Sequence, residues 1–263
     1  MNNIHRTAIV SKNASIGNDI IVAPYAIIED DTVIGNNVEI GPHAVLYNGA
    51  RIGNKVKIKQ ATSVAHVPQD LKFGGEDTVF IIGDNTVIHE YVTLHRGTKE
   101  TGKSQVGKNC LLMAYCHVPH DCSIGDNCII ANTVQIAGHV HIEDWVIIGG
   151  ISSIHQFVSV GQHAMVGANT YITQDVPPYI ILAGTPAKYF GLNVIGLRRR
   201  GFSNEDIETL KEAYHYLYDK SLNVSQAQIK IDAELGTNEH VKKVIDFIEK
   251  SKRGISGKLS GSF

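Results

Sequence analysis

The fold is decided by residues 106–172, which read in groups of six as VGKNCL LMAYCH VPHDCS IGDNCI IANTVQ IAGHVH IEDWVI IGGISS IHQFVS VGQHAM VGANTY I. Every group opens with an aliphatic residue, and its fifth place holds a small or β-branched residue. A period of six is neither the period of about 3.6 of an amphipathic helix nor the alternation of a half-buried strand. It is typical of a parallel β-helix, in which each group supplies one short strand and one turn.

The same frame extends back to the N-terminus. Steps of six from Ile4 meet an aliphatic residue at every position up to Val64. The frame lapses at residues 65–79 and again at 97–105, where the sequence is polar and rich in glycine and lysine. We predict two loops ejected from a regular stack, which is where repeat proteins usually carry function.

Three groups of six make one coil in known hexapeptide folds, so eighteen residues are expected to close one lap of a three-sided column. The 26 aliphatic positions of the frame then predict about nine coils. Residues eighteen apart would stack on neighbouring coils, about 4.8 Å from each other. Val176-Pro177-Pro178 is predicted to end the column, because proline lacks the N–H that a ladder needs. We therefore expect a mainly β domain at residues 1–178.

A helical pattern follows, which predicts a connecting turn and a small α-helical domain over residues 179–263. Ser203 is a predicted N-cap, with acidic residues in the first turn after it. Two further helices are expected near residues 225–235 and from Asn238. The tail after Arg253 is rich in glycine and serine and is expected to fray. The buried stripe of the last helix is predicted to be Val241, Val244, Ile245 and Ile248.

Composition excludes several classes of function. The 263 residues carry a net charge of −2 and a pI of about 6.7, which indicates no general affinity for nucleic acid or anionic membranes. The chain lacks a run of eighteen apolar residues, and the repeat begins almost directly after Met1. Neither a membrane span nor a secretory leader is therefore expected, and we predict a cytoplasmic protein.

The four cysteines are evenly spaced, which invites a metal or disulfide interpretation. Cys110, Cys116, Cys122 and Cys128 all occupy the small-residue place of the frame, which alanine and threonine fill elsewhere. We therefore interpret them as core residues, with Cys110 and Cys128 on neighbouring coils.

Three of the thirteen histidines share a phase in an eighteen-residue coil. His120, His139 and His155 fall within one position of each other on three successive coils, which predicts a ladder of imidazoles along one edge. Asp121 follows His120 and would orient it as a base. Gly138 lies eighteen residues after His120 and would offer an open N–H to an oxyanion. A plain polar edge or a subunit contact would explain the same pattern.

Metal binding is the main alternative for these histidines. Histidine ladders bind zinc in the γ-class carbonic anhydrases, where three imidazoles must converge within about 2.1 Å of one ion. A spread over three coils is too long for one ion unless subunits share the ligands. We therefore expect neither a metal nor a cofactor.

Two further sets of charged residues are candidate binding groups. Asp70 and Lys72 lie in the first predicted loop, where they would pair with sugar hydroxyls or a phosphate, or remain solvated. Arg198, Arg199 and Arg200 form the one basic run of the chain. Three guanidinium groups suit a diphosphate or an acidic partner protein, although a solvated turn has the same composition.

Nine short segments carry a resemblance to a known family. They are Gln69-Asp70-Leu71-Lys72, Thr93-Leu94-His95-Arg96-Gly97-Thr98, Leu112-Met113, His120-Asp121-Cys122, Ala137-Gly138-His139-Val140, Ile148-Gly149-Gly150, His155-Gln156-Phe157, Gln174-Asp175-Val176-Pro177-Pro178-Tyr179 and Arg199-Arg200-Gly201-Phe202. In these segments the sequence resembles the acyl-carrier-protein-dependent UDP-N-acetylglucosamine O-acyltransferases, which begin lipid A synthesis. The similarity covers the whole chain.

The resemblance implies a left-handed parallel β-helix and a homotrimer with active sites in clefts between subunits. It implies that His120 takes the proton from the sugar 3-hydroxyl as that oxygen attacks the thioester of a 3-hydroxyacyl carrier protein. Asp121 would orient His120, and the Gly138 N–H would bind the oxyanion. The residues implied to contact UDP-N-acetylglucosamine are Asp70, Lys72, His95, His117, His139, His155, Gln156, Asn193, Arg199 and Arg200.

The acyl length and the exact acceptor stay open. Ala168 occupies the position that limits acyl chain length in the family, where a well-studied relative has glycine, and its methyl group is expected to shorten the pocket. A related enzyme that acts on a 3-amino UDP-sugar would share the same base. The glucosamine N-acyltransferase of the pathway carries an extra N-terminal domain, for which a repeat that starts at Ile4 leaves no room.

Overall fold

Three sheets form the walls of a column in the computed structural model, which describes residues 1–257. Strands are labelled in chain order, and each wall receives every third strand of the repeat. Wall 1 contains β1 (Asn3–Ile4), β4 (Ile21–Val22), β7 (Glu39–Ile40), β10 (Lys57–Ile58), β13 (Val87–Ile88), β16 (Leu111–Leu112), β19 (Ile129–Ile130), β22 (Ile147–Ile148), β25 (Met165–Val166), β27 (Ile180–Ala183) and β28 (Lys188–Leu192). Wall 2 contains β2 (Ile9–Val10), β5 (Ile27–Ile28), β8 (Val45–Leu46), β11 (Ser63–His66), β14 (Thr93–His95), β17 (His117–Val118), β20 (Gln135–Ile136), β23 (Ser153–Ile154) and β26 (Tyr171–Ile172). Wall 3 contains β3 (Ser15–Ile16), β6 (Val33–Ile34), β9 (Ala50–Ile52), β12 (Val79–Ile82), β15 (Lys103–Val106), β18 (Ser123–Ile124), β21 (His141–Ile142) and β24 (Ser159–Val160).

The six-residue frame predicts these strands correctly. Each strand from β1 to β26 contains one aliphatic residue of the frame, and from β4 onward that residue is buried in the column. Ile4 pairs with Val22, and Ile148 pairs with Val166, so one coil takes eighteen residues. The column is a left-handed parallel β-helix of about nine coils, as expected.

The corners of the column require an unusual backbone conformation. The third residue after many of the aliphatic residues has a φ in the left-handed region, as at Asn109 (φ 55°), Asp121 (φ 60°) and Ile151 (φ 63°). This conformation is costly for a β-branched side chain such as that of Ile151, so the ladders on either side must enforce it. We call the corners edge 1–2, edge 2–3 and edge 3–1, after the walls that they join.

Both ejected loops leave the column at edge 2–3. Val64 pairs with Leu94, thirty positions further on, and Ile82 pairs with Val106, which is twenty-four positions further on. The first loop covers residues 67–78 and adds about twelve residues to a coil. The second covers residues 96–102 and adds about six, because β15 resumes at Lys103, before the predicted end of that loop.

The column continues one strand past its predicted end at residue 178. β27 pairs in parallel with β25, and the Gly167 N–H donates to Leu182 O (2.8 Å). Pro177 and Pro178 are tolerated because the coil above them is missing on wall 3, so no ladder partner requires their N–H groups. β28 then returns antiparallel to β27 and leads into the helical region.

Four helices complete the described chain. They are α1 (Val194–Arg199), α2 (Asn204–Tyr218), α3 (Val224–Leu235) and α4 (Glu239–Lys250). Ser203 caps α2 by accepting from the Asp206 N–H (3.0 Å), and Asn238 caps α4, as predicted. The predicted apolar stripe of α4 is buried, whereas α1 is a helix that the sequence pattern did not indicate. Among the described residues, no helix has the length and apolar character that crossing a membrane requires.

Asp175 joins the end of the helical region to the column. Its carboxylate is buried and accepts from the Ser159 N–H (2.7 Å), the Ser251 hydroxyl (2.7 Å) and the backbone N–H groups of Lys252 and Arg253 (both 3.2 Å). Ile255 is buried as well, so the expected fraying after Arg253 is wrong as far as residue 257. Residues 258–263 lie outside the described chain.

The cysteines are core residues, as predicted. All four are buried free thiols. Cys110 and Cys128 lie on neighbouring coils, where the Cys128 N–H donates to Cys110 Sγ (3.4 Å). Burial raises the pKa of Cys116 to about 11 and that of Cys122 to about 12, so both thiols stay protonated at neutral pH.

Candidate active site

His120 lies at edge 2–3, two residues after the buried Val118 of β17. Its Nδ1 is 2.8 Å from Oδ2 of Asp121, the next residue in the chain. The left-handed backbone of Asp121 turns its side chain back against the neighbouring imidazole. If Nδ1 carries the proton for this bond, Nε2 is left with its lone pair, which is the tautomer that a general base needs.

Asp121 is held as a carboxylate by the second loop. Its side chain is fully buried and accepts from the Thr98 N–H (3.0 Å), the Thr98 hydroxyl (2.9 Å) and the Thr101 hydroxyl. Burial alone would raise the pKa of Asp121, but the hydrogen bonds from Thr101, His120 and Thr98 outweigh it and lower the pKa below its usual value. A charged carboxylate beside His120 stabilises the imidazolium that forms when the base accepts a proton.

Gly138 lies directly above His120 on the next coil, as its phase predicts. A Cβ at Gly138 would lie 2.7 Å from Cε1 and 2.9 Å from Nε2 of His120, so only glycine lets the ring approach this closely. Within residues 1–257, nothing accepts a hydrogen bond from the Gly138 N–H.

The open Gly138 amide has a structural cause. At the same place on edge 3–1, a side chain from the next coil accepts the N–H: Asn54 Oδ1 accepts from Asn36 N (2.9 Å), and Asp144 Oδ1 accepts from Asp126 N (2.7 Å). Above Gly138 that place belongs to Gln156, whose longer side chain makes no such bond within the described chain. The imidazole base and a free amide donor therefore face the same space.

The other two histidines of the predicted ladder lie on the same edge. The His139 ring is 5.2 Å from that of His120 and stacks on Phe157 at 4.6 Å. His139 Nε2 is 3.7 Å from Asp121 Oδ2, which is too far for a hydrogen bond. His155 lies one coil further on, where its Nδ1 contacts the backbone oxygen of Gln156 (3.1 Å). The ladder is confirmed as a shared edge, although ring contact joins only its first two members.

A second column of imidazoles runs down the neighbouring wall 2. The rings of His66, His95 and His117 follow one another at 5.5 and 5.0 Å, and Thr93 Oγ1 is 2.7 Å from His117 Nδ1. Burial, and then the charges of nearby histidines, lower the pKa of His95 to about 4 and also lower that of His117. Both rings are therefore neutral at pH 7. The six-residue frame does not predict His66 as a member of this row, because an irregularity in β11 shifts it by one position to face His95.

The charged residues of the first loop do not reach His120 within one chain. Asp70 Oδ1 accepts from the Lys72 N–H (2.9 Å), which closes a local turn. The loop touches the edge through Phe73, whose ring lies 5.5 Å from the guanidinium of Arg96. Asp70 and Lys72 are thus presented on the same edge as His120 but outside its contact shell.

The predicted nucleotide residues lie at edge 3–1, apart from His120. Asn193 is buried, caps α1 through Gly196 N (3.2 Å) and donates to His163 O (3.0 Å). Arg200 contacts His163 Nδ1 (3.1 Å) and lies 5.1 Å from the Trp145 ring, whereas Arg199 is exposed on α1. One chain does not bring this group together with His120.

Ala168 lies exposed on edge 1–2, also apart from His120. The outer face of the adjacent wall 1 is apolar over several coils and only partly covered. This face presents Val87, Leu111, Ile129, Ile147 and Met165.

His120, Asp121 and His139 together form a possible metal-ligand set, since their ligand atoms lie within 4.8 Å of one another. The donor chemistry does not fit a cation well. Both oxygens of Asp121 already accept hydrogen bonds from Thr98, Thr101 and His120, and a metal would have to displace them. Two imidazoles with an already saturated carboxylate are a weak zinc site.

A hexapeptide column whose corner joins a carboxylate-held imidazole to an open amide defines an acyltransferase of the hexapeptide-repeat class. Models of the bacterial transferase hexapeptide (six repeats) match residues 31–66 and 103–138, and a hexapeptide repeat of succinyl-transferase matches 139–174. Residues 175–256 match the model described as UDP N-acetylglucosamine O-acyltransferase, domain 2.

Whole-chain relatives define the family. The acyl-[acyl-carrier-protein]–UDP-N-acetylglucosamine O-acyltransferase of Thiobacillus denitrificans is 43% identical over 256 residues, which are 97% of this chain and 99% of the relative. The enzyme of that name from Myxococcus xanthus is 47% identical over 201 residues, which are 76% and 78% of the two chains. This chain belongs to the acyl-[acyl-carrier-protein]–UDP-N-acetylglucosamine O-acyltransferase family.

Solved structures agree with this assignment. The UDP-N-acetylglucosamine acyltransferase of Bacteroides fragilis superposes with a TM-score of 0.94 at 42% identity, over 96% of this chain and 99% of that one. The Arabidopsis UDP-N-acetylglucosamine acyltransferase gives a TM-score of 0.79 at 33% identity, over the same shares of the two chains.

Proposed function

We propose that this enzyme transfers a 3-hydroxyacyl group from acyl carrier protein to the 3-hydroxyl of UDP-N-acetylglucosamine, with His120 as the general base. Acyl transfer to UDP-N-acetylglucosamine, in lipid A biosynthesis, is the reaction of the family to which the chain belongs. The 3-hydroxyl acceptor, the 3-hydroxyacyl donor, the site residues and a cytoplasmic location are the parts that we add.

The proposed reaction uses the groups that lie at edge 2–3. His120 Nε2 removes the proton from the sugar hydroxyl as its oxygen attacks the thioester carbon. The carbonyl oxygen becomes an oxyanion, and the Gly138 N–H donates to it. When the intermediate collapses, the carbon–sulfur bond breaks, and the imidazolium of His120 returns the proton to the leaving thiolate. The ester and the free thiol of the carrier are the products.

One observation carries this proposal: the His120 ring approaches the Gly138 backbone while Asp121 holds its other nitrogen. A base and an oxyanion donor must both lie about 3 Å from the reacting atoms, and this pair shares one space at the column edge. His139, His155 and Gln156 lie on the same edge, His117 lies on the neighbouring wall 2, and all four are proposed to contact the sugar.

The nucleotide is proposed to bind between subunits of a homotrimer. Asn193, Arg199 and Arg200 lie at a different edge from His120, so a neighbouring chain related by a threefold axis would have to complete the cleft. Asp70, Lys72 and His95 would complete the sugar side. The apolar outer face of wall 1, next to Ala168, is a surface that the acyl chain or a second subunit would cover.

The test is a product assay with a mixture of 3-hydroxyacyl carrier proteins and UDP-N-acetylglucosamine, read by mass spectrometry. We expect one dominant acyl length, and we expect His120→Ala to lower kcat by about 10²–10⁴-fold, as loss of a general base does. His215→Ala, an exposed histidine on α2, is the matched control and should retain full activity. Near-normal turnover by the His120 variant would remove that residue from the mechanism.

A 3-amino UDP-sugar remains the alternative acceptor, because an amine would use the same base and the same oxyanion donor. Supplying both sugars in one reaction separates the two acceptors: a preference for the amine would overturn the 3-hydroxyl assignment. Metal analysis of the active protein tests the zinc alternative, since stoichiometric zinc that is required for activity would contradict base catalysis by a free imidazole.

A further inference from the structure

We propose that the second loop, residues 96–102, is a positioning element for catalysis, in which Thr98 and Thr101 fix the Asp121 carboxylate so that it serves His120. This inference rests on the proposed role of His120. It goes beyond that role by assigning a function to the one interruption of the repeat that touches the catalytic pair.

The loop has a defined conformation that close backbone packing and internal hydrogen bonds maintain. The two ends of the loop lie close together: a Cβ at Gly97 would lie 2.4 Å from Lys103 N, so only glycine allows this approach. Gly97 O accepts from the buried Thr78 hydroxyl (2.6 Å), and the Gly102 N–H donates to Thr98 O (2.8 Å). The Glu100 N–H also donates to Thr98 Oγ1 (3.2 Å). Thr98 is therefore fixed from several directions before it meets Asp121.

The loop takes most of the accepting capacity of Asp121. A carboxylate has about four lone-pair directions. Three are used by the loop, through the Thr98 N–H, the Thr98 hydroxyl and the Thr101 hydroxyl. The fourth faces His120 Nδ1 at 2.8 Å. Thr101 Oγ1 is also 2.7 Å from Lys103 O, but a charged acceptor is the stronger partner for its single proton.

The hydrogen bonds from the loop to Asp121 determine which of two nearby imidazoles this carboxylate orients. His139 Nε2 lies 3.7 Å from the same Oδ2 atom, within reach of a small rotation of the carboxylate. If the threonine hydroxyls were absent, the carboxylate could turn toward His139, and His120 would lose its orienting partner. The loop thus selects which histidine becomes the base, although neither threonine touches substrate.

Removing the hydroxyls without changing side-chain shape tests this selection. Thr98→Val and Thr101→Val should each lower kcat by about 10-fold, the usual scale for losing one hydrogen bond to a charged group, with KM for both substrates within about 2-fold. The double variant should lose more than either single variant. Thr98→Ser and Thr101→Ser retain the hydroxyl and should restore kcat.

Thr86→Val is the matched control for a purely structural effect. Thr86 is buried, and its hydroxyl donates to Gly107 O (2.7 Å) at edge 3–1, away from His120. We expect this variant to lower the unfolding temperature about as much as Thr98→Val while leaving kcat unchanged. A crystal structure of the double variant should show the Asp121 carboxylate rotated toward His139.

Failure of the proposed function and failure of the loop's positioning role give different results. If the wild-type protein forms no acylated sugar, or His120→Ala is active, the proposed function is wrong. If the wild type is active and His120→Ala is not, but the double valine variant keeps kcat within about 2-fold and Asp121 in place, the positioning role of the loop is wrong.

Discussion

At the scale of single residues, the chemistry occupies corner positions whose backbone is left-handed. Asp121 and His139 have φ values of 60° and 61°, and Phe157 above them has 64°. Such a corner directs the side chain outward and lets residues eighteen apart stack, as the His139 and Phe157 rings do at 4.6 Å. The strain of these corners is distributed over the whole ladder, which makes each side chain a well-fixed member of a column.

Gly138→Ala should lower kcat by about 100-fold, because the new methyl group would push the His120 base out of position or hinder access to the backbone amide, which alanine retains. The methyl group would project outside the column and meet only the His120 ring, so the unfolding temperature should fall only slightly. Steady-state kinetics and thermal unfolding of one preparation check both statements. A fully active Gly138→Ala enzyme would show that the close approach of the His120 ring to residue 138 is not needed for the reaction.

At the scale of elements, the Asp175 carboxylate is one of several groups that tie the helical region to the column. Asp175 accepts from wall 3 at Ser159 and from the segment that follows α4, and the Tyr214 hydroxyl of α2 donates to Pro178 O. α2 and the segment after α4 are therefore both bonded to the end of the column.

Asp175→Ala should destabilise the protein by about 3 kcal/mol, because it removes a buried carboxylate that accepts from the part-buried N–H groups of Ser159, Lys252 and Arg253. Chemical denaturation at fixed protein concentration measures the loss. Asp246→Ala, an exposed residue of α4, is the control and should change stability by less than about 0.5 kcal/mol. Equal stability of the two variants would contradict the anchoring role of Asp175.

Much of the column was predictable, and the limits have physical causes. The period of six gives every strand up to β26, and the lap of eighteen places Gly138 over His120, because no insertion separates them. The contact of Thr98 with Asp121 was not predictable, because residues of an ejected loop do not follow the eighteen-residue period that places other residues above one another. Arg200 meets His163 after a helical turn, which also lies outside the repeat.

At the scale of the whole molecule, the row of exposed side chains along edge 1–2 is the surface that a threefold assembly would cover. Tyr91 and Tyr115 stack at 5.0 Å and are half exposed, and Ile151 above them is 67% exposed. Large, partly exposed side chains along this edge, interrupted by Thr133 between Tyr115 and Ile151, are unusual for a surface that remains in water.

Ile151→Asp should therefore prevent assembly of the proposed homotrimer, because a carboxylate would be buried at each of three equivalent contacts. Ile229→Asp is the matched control, since Ile229 is 71% exposed on α3, and it should remain trimeric. Sedimentation velocity distinguishes a particle of three chains from a monomer of 28.7 kDa. A trimer that tolerates Ile151→Asp would place the subunit contact on another edge.

The short Asn and Asp side chains of edge 3–1 accept hydrogen bonds from the backbone N–H groups one coil below them, whereas Gln156 leaves the Gly138 N–H free. Whether a corner N–H is free therefore depends on the length of the side chain eighteen residues further along the chain. We expect an asparagine at position 156 to lower activity if its Oδ1 accepts from the Gly138 N–H, as Asn54 Oδ1 accepts from the Asn36 N–H at edge 3–1.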